Sequence, residues 1–444
     1  MEMWQQLMDR AELTTADGEP IRIIYPGKKN DDRGADFRDA VIATNRGIIK
    51  GDIEVHVKTS HWQAHRHYQD PAYNRVILQV VLWHDTEAAT SLHNGKTVPT
   101  LALDRYLGDT TKHWSELVPS TMPCRKPVKG LATDTLAKLL DSSGEERFRA
   151  KAAEFHAELS QTEASQCLYQ GIMGALGYAK NKPPMLKLAK RVPLHRLQSL
   201  TRGGTPEQEC LARLQALLLG IAGLLPSQRR DRHREYNGDR WVDQLEGLWA
   251  ASGHAQAMSE DEWRLFKVRP NNFPLRRIAA MSYLVLRYRQ RGIVAEVVDM
   301  IKQTPVSQGY LRLEKEFSVN ADGYWASHFD FGLKSRSNNP TLLGRWRAAD
   351  IVVNVLLPFA HAWGKVSSQL EVERKAIDFY RHYPRLAANT VEKHMVKQLG
   401  VNSSLVNSAQ RQQGLIHIYN TLCTQGKCNC CPLSQPKAGK YIQV

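Results

Sequence analysis

The stretch Gly51–His67, GDIEVHVKTSHWQAHRH, decides the reading of the first part of this chain. Ile53, Val55 and Val57 alternate with Asp52, Glu54, His56 and Lys58. Residues two apart on a strand share a face, so the pattern predicts a strand with one dry face and one face of ionisable groups only. The following SHWQAHRHYQ predicts a short helix with Ser60 as its N-cap, which places His61 and His65 on one helix face. Working outward, PIRIIYPG, DAVIAT and RVILQVVLW have strand composition and turn-like flanks. NRG at Asn45–Gly47 is a hairpin-like turn between two strands. The order strand, strand, strand, helix, strand is an α/β pattern.

Past this region the pattern changes. Val118–Gly130 (VPSTMPCRKPVKG) is rich in proline and basic residues and reads as a linker. Helical segments follow: LATDTLAKLLDSS, a long amphipathic run from Glu145 to about Tyr178, PEQECLARLQALLLGIAGLL, FPLRRIAAMSYLVLRYRQRG, RAADIVVNVLLPFAHAWG and NTVEKHMVKQLG. Asn354, polar on an apolar helix, is expected to be a buried hydrogen-bonding residue. The fold class is therefore α+β. An N-terminal mixed α/β sheet domain (1–117) and a linker (118–130) precede a larger, basic, all-α domain (131–444) that ends in a cysteine cluster.

The chain has 444 residues and a formal charge of +15. Residues 1–130 hold 17 basic and 17 acidic residues, and the remainder holds 43 basic and 28 acidic. The whole excess lies after residue 130, which suits a polyanion partner, most plausibly nucleic acid. The apolar stretches RVILQVVLW and IVVNVLLPFA are too short to cross a bilayer. The N-terminal MEMWQQLMDR lacks a signal-peptide pattern, so no membrane partner is expected. Seven cysteines, an odd number, suit reduced thiols or a metal site in a cytoplasmic setting better than a disulfide framework. Walker loop, dinucleotide fingerprint and nucleophile elbow are all missing, which excludes the commoner nucleotide-binding and hydrolase classes.

Asp36, in GADF, opens the strand before the hairpin, and Glu54 lies on the strand after it. Two carboxylates on adjacent antiparallel strands can share Mg²⁺ or Mn²⁺, which prefer oxygen donors and keep several waters. A basic group two residues beyond Glu54 then stands beside the metal-bound water, the geometry of metal-assisted phosphodiester hydrolysis. The pattern over residues 20–85 resembles the PD-(D/E)XK nucleases, which makes the N-terminal domain nuclease-like. It departs from them at Ala35, where proline is usual, and at His56, where lysine is usual. Lys58, on the same face, is a substitute. His56, His61, His65 and His67 offer a rival reading, in which His61 and His65 bind a transition metal; His65 and His67 are taken with Asp36, Glu54, His56 and Lys58 as the candidate catalytic set.

Several separate motifs, among them GDIEVHVKTSHWQAHRHYQDPAYNRVILQVV and RPNNFPLRRIA, resemble the bacterial Domain of Unknown Function 2851 family. The resemblance runs over nearly the whole chain, C-terminal cysteines included, and implies a two-part bacterial protein without an assigned activity. Gln79 stands before Val80 and Val81 where an LHVV pattern carries histidine.

In NTLCTQGKCNCCPL, Cys423, Cys428 and Cys431 suit zinc or an iron–sulfur cluster. The segment is similar to the end of endonuclease III-type iron–sulfur glycosylases but lacks their fourth cysteine after CPL. Cys430, His417, or the distant Cys124, Cys167 or Cys210 is left to complete the set. Arg269, Arg276 and Arg277 stand near a helix start, where they are candidates for holding phosphates. Three functions stay open: a metal-dependent nuclease, a non-catalytic nucleic-acid-binding protein with a degenerate nuclease-like fold, and a metal-dependent hydrolase of a small substrate.

Overall fold

The computed structural model describes Trp4 and residues 13–30, 34–106, 124, 128–229, 239–253, 256–265, 268–335 and 341–434. Most of the expected linker, and most of the basic run Arg229–Arg240, lie outside the described residues. The chain divides into two compact units. The sheet unit comprises residues 1–144, 388–407 and 411–444, and the helical unit comprises 145–387 and 408–410.

In the sheet unit the strands are β1 (Leu13–Thr14), β2 (Pro20–Tyr25), β3 (Lys28–Lys29), β4 (Phe37–Thr44), β5 (Gly47–Lys58), β6 (Val76–Trp83), β7 (Thr90–Ser91), β8 (Thr97–Val98) and β9 (Thr100–Ala102). One sheet runs β1-β2-β4-β5-β6-β9, with β3 also paired to β4. The pairs as far as β5 are antiparallel, whereas β5–β6 and β6–β9 are parallel. A parallel pair needs a crossover. The β5–β6 crossover holds the short helix His61–Ala64 and two 3₁₀ turns, and the β6–β9 crossover holds the β7–β8 hairpin. All four strands read from the sequence are present, and the β4–β5 turn pairs Thr44 with Gly47. Gly51 lets β5 and β6 approach: a Cβ there would lie 2.5 Å from Arg75 O and 2.3 Å from Ile77 Cγ2.

The expected contrast between a dry and a wet face of β5 is not what the fold makes. Asp52, Glu54 and His56 are buried, at 5, 6 and 8 % exposure, and Val57 on the apolar face is 48 % exposed. The strand is central, and crossover residues lie on its polar face: the Trp62 and His67 rings pack against His56. Ser60 is not a side-chain cap either; its N–H and hydroxyl both donate to Asp85.

A second core in the sheet unit unites Tyr25, Val41, Leu136, Met395, Leu415 and Leu433. The helices Thr390–Leu399 and Ala409–Thr421, read from sequence as part of the helical domain, thus serve the sheet, except for the latter's first two residues. Their apolar spacing announces a helix but not which core it faces.

The helical unit is built on a large core to which helices Ala164–Leu176, Glu207–Ala222, Pro274–Arg287 and Leu357–Val366 contribute. The segment Glu207–Gln228 is long and apolar enough to span a membrane, but it is mostly buried within the helical unit. Where the sequence suggested a break near Ser142–Gly144, one helix runs unbroken over Thr133–Leu159, and the division between units falls within it. Asn354 sits in a π-helical turn, Val352–Leu356, and its Oδ1 accepts from Lys151 Nζ at 2.7 Å.

Candidate carboxylate–histidine site

Strand register assembles the site. Phe37 pairs with Ile53, which brings Asp36 beside Glu54. The two residues are tied reciprocally: Asp36 N–H donates to Glu54 Oε2 at 3.0 Å, and Val55 N–H donates to Asp36 Oδ2 at 3.2 Å. Burial, then the neighbouring Asp36 charge, pushes the Glu54 carboxyl up to about 8. Burial also raises Asp36. Asp52, on the same face, is structural. It accepts from Asp39 N–H and stands 3.6 Å from Arg75, which also binds Asp39.

The histidines come from β5 and its crossover. Arg66 adopts a left-handed conformation (φ 57°) directly after the short helix, and His67 opens the next turn. His67 packs on Tyr73 with ring centroids 3.9 Å apart and is stacked on His56 at 5.2 Å. A nitrogen from each of His56, His65 and His67 lies within 4.8 Å of the other two. Glu54 Oε1 is 3.5 Å from both His56 Nε2 and His67 Nε2. Burial, followed by the fields of neighbouring histidines, lowers His56 to about 3 and His67 to about 4. At neutral pH these imidazoles are uncharged and Glu54 is largely protonated, so the contacts are hydrogen-bonding contacts between neutral groups rather than ion pairs.

A polar row crosses the sheet, because Glu54 pairs with Gln79 and Gln79 with Thr100. Gln79 is fully buried. Its Oε1 accepts from Thr90 Oγ1 at 2.6 Å and Thr100 Oγ1 at 3.3 Å. Its Nε2 lies 3.2 Å from both Thr59 O and His56 Nδ1. A carbonyl can only accept, so the Thr59 contact fixes the amide's orientation and makes His56 Nδ1 an acceptor. Neutral His56 therefore carries its proton on Nε2, 3.3 Å from His67 Nε2, which accepts it.

Other residues singled out in the sequence fall elsewhere. Lys58 is exposed at the end of β5, where its charge acts on Asp85. The His61 ring is 5.5 Å from that of His65, as their spacing predicts. Arg276 and Arg277 are corrected: at 1 and 4 % exposure they are structural. Arg276 donates to the carbonyls of Trp325, His328 and Thr341, and Arg277 to Leu342 O, Tyr178 Oη and Asn272 Oδ1. Guanidinium groups so engaged have no free face for phosphate. Arg269 is exposed. At the C-terminus, Cys423, Cys428 and Cys431 line one cavity, whose lining includes neither Cys430 nor His417. Cys167 and Cys210 are buried in the core of the helical unit. Thr59, Thr90 and Thr100 escaped the sequence reading, because only the folded sheet brings them to Gln79: Thr100 by strand register, Thr90 from the β7–β8 hairpin and Thr59 from just past the end of β5.

A family described as Protein of unknown function (DUF2851) has a model that matches residues 1–388. The C-terminal cysteines lie beyond the matched residues, contrary to the extent expected from sequence. No curated protein and no solved structure matches the chain.

Proposed function

The chain belongs to this DUF2851 family, whose description assigns no activity, and from the site itself we propose that it is a metal-dependent phosphodiesterase acting on nucleic acid. The observation that carries this reading is the joining of Asp36 and Glu54 across adjacent strands, with the His56 and His67 imidazoles beside Glu54 and His65 next to those two histidines. The PD-(D/E)XK resemblance supports it, since the antiparallel β4–β5 pair leads through a short helix to a parallel strand.

The donor set fits a divalent cation. Asp36 and Glu54 would hold it through oxygen, the donor type that Mg²⁺ and Mn²⁺ prefer, while His67, its Nε2 accepting from His56, lies beside Glu54. Such an ion supplies a water acidified toward neutrality and neutralises phosphate charge. His56, its proton held on Nε2 by Gln79, acts as a hydrogen-bond donor within the site rather than as a ligand. Trp62, buried, and Tyr73, half-buried, cover His56 and His67, whereas His65 is exposed. Lys58 at the exposed strand end, with the basic excess after residue 130, favours a polyanionic substrate. Free cysteines throughout suit a reducing, cytoplasmic compartment.

The grouping of three imidazoles favours one alternative, a transition-metal hydrolase of a small substrate. The test is cleavage of labelled single- and double-stranded DNA and RNA with Mn²⁺ or Mg²⁺, wild type against Glu54→Ala. Metal-dependent cleavage reduced at least about 100-fold in the variant is expected. Salt-sensitive binding without cleavage in either protein would leave a binding module. Absence of polyanion binding would turn the search to small esters.

A further inference from the structure

Four of the seven cysteines meet in the sheet unit. Cys124, Cys423, Cys428 and Cys431 line one cavity of about 10 Å³, together with Tyr25 and Gln398. They arrive on separate pieces of chain. The Cys124 carbonyl accepts from Val128 N–H at 3.0 Å. Cys423 opens the 3₁₀ turn that follows helix Ala409–Thr421, and Cys428 opens another, with Cys431 just after it. Gly426 joins the two turns in a left-handed conformation (φ 65°), pressed so closely on β4 that a Cβ would lie 2.9 Å from Val41 Cγ1. The loop is therefore held against the sheet.

Cys423 is close enough to Cys431, Cys124 and Cys428 for their charges to act on one another, and all four thiols are free of disulfides. Gln398 turns its amide Nε2 toward Cys423 Sγ at 3.7 Å, a donor aimed at sulfur. The remaining cysteines are accounted for otherwise. Cys430 is exposed and directs its Sγ to Lys427 O at 3.5 Å, and Cys167 and Cys210 are packed in another core.

Four thiols lining one cavity and closing on one ion would leave no coordination position for a substrate, which is the pattern of a structural rather than a catalytic metal. The cavity has room for about one water-sized sphere, enough for a single ion. We propose that Cys124, Cys423, Cys428 and Cys431 bind one structural zinc ion, which ties the segment after Leu422 and Cys124 to the sheet unit. Cys124 is the ligand that the C-terminal sequence lacks. The proposal is independent of the carboxylate–histidine site.

The test is zinc released from full-length protein by an organomercurial thiol reagent, which frees thiolate-bound metal and not metal held by histidine and carboxylate. About one equivalent per chain is expected from wild type and Cys430→Ser, and less than about one tenth from Cys124→Ser. As a second readout that does not depend on the folding of Cys124→Ser, Co²⁺ is also exchanged into the wild-type protein. The intense sulfur-to-cobalt charge transfer and d–d bands of a four-sulfur tetrahedral site are expected. The proposal is overturned by absence of thiol-releasable zinc, by iron with labile sulfide in its place, by equal zinc loss in Cys430→Ser, or by a cobalt spectrum of mixed nitrogen and sulfur ligands.

Discussion

Gln79 Nε2 stands 3.2 Å from His56 Nδ1 and, through Thr59 O, is committed to donating there. The chemistry of His56 is thereby set from the neighbouring strand. Gln79→Glu replaces the donor with an acceptor and favours a proton on His56 Nδ1, which frees the Nε2 lone pair. The expected change is a switch of the His56 tautomer, read from two-bond ¹⁵N–¹H correlations, with tighter Mn²⁺ binding in the variant. An unchanged Nε2–H tautomer would refute the assignment.

Gln79→Leu tests the same network by removal. It removes the acceptor of the buried Thr90 and Thr100 hydroxyls, which keep only their mutual contact at 3.3 Å, and the donor to the buried carbonyl of Thr59. A loss of roughly 2–4 kcal/mol in urea-unfolding stability is expected, since each unsatisfied buried group costs roughly 1–3 kcal/mol.

Glu54 makes stability depend on pH when metal is chelated. Its folded carboxyl titrates near 8, far above the ordinary carboxylate value, so the folded state holds a proton that the unfolded state has released. The associated stabilisation is complete below the unfolded value and is lost as pH rises through the folded one. Above pH ~7 the lowered histidines are mostly uncharged in both states, so this window isolates Glu54. Wild-type stability should fall by about 1 kcal/mol between pH ~7 and ~8 relative to Glu54→Gln. Parallel profiles of the two proteins would contradict the buried, protonated Glu54.

Arg277→Ala should act on stability. It removes hydrogen bonds to Leu342 O, Tyr178 Oη and Asn272 Oδ1 inside the core. A cost of roughly 3 kcal/mol is expected, against a few tenths of a kcal/mol for exposed Arg269→Ala. Equal effects in chemical denaturation would restore Arg277 as a surface residue.

Gly51→Ala should damage the site without touching its chemistry. The added methyl meets Arg75 O and Ile77 Cγ2 on the β6 side. Forcing β5 and β6 apart separates Glu54 from Gln79, with an expected loss of roughly 1–3 kcal/mol in thermal or urea unfolding.

The sequence makes the four long strands legible because alternation and turn residues are local signals. It also brings out Asp36, Glu54 and the histidines, whose types and spacing are distinctive. The burial of the β5 polar face is not legible, because alternation defines two faces but not what covers either. Arg276 and Arg277 look like phosphate ligands until the carbonyls of residues some 50–65 positions away close around them. Cys124 is too far along the chain from Cys423 for any spacing rule to join them. The Thr59–Gln79–Thr90–Thr100 network depends on sheet register, which a single sequence encodes only through the hydrophobic pattern.

The sheet unit takes its core from both ends of the chain, Tyr25 and Val41 packing with Met395, Leu415 and Leu433. A ribosome delivers these pieces far apart in time. Residues 145–387, the bulk of the helical unit, emerge whole between them. The helical unit can therefore close while the sheet still waits for its last helices, and the half that holds the carboxylate–histidine site is begun first and completed last. Until Leu433 arrives, the apolar side of Tyr25 and Val41 stays uncovered, which makes the nascent sheet the part of this protein most in need of a chaperone.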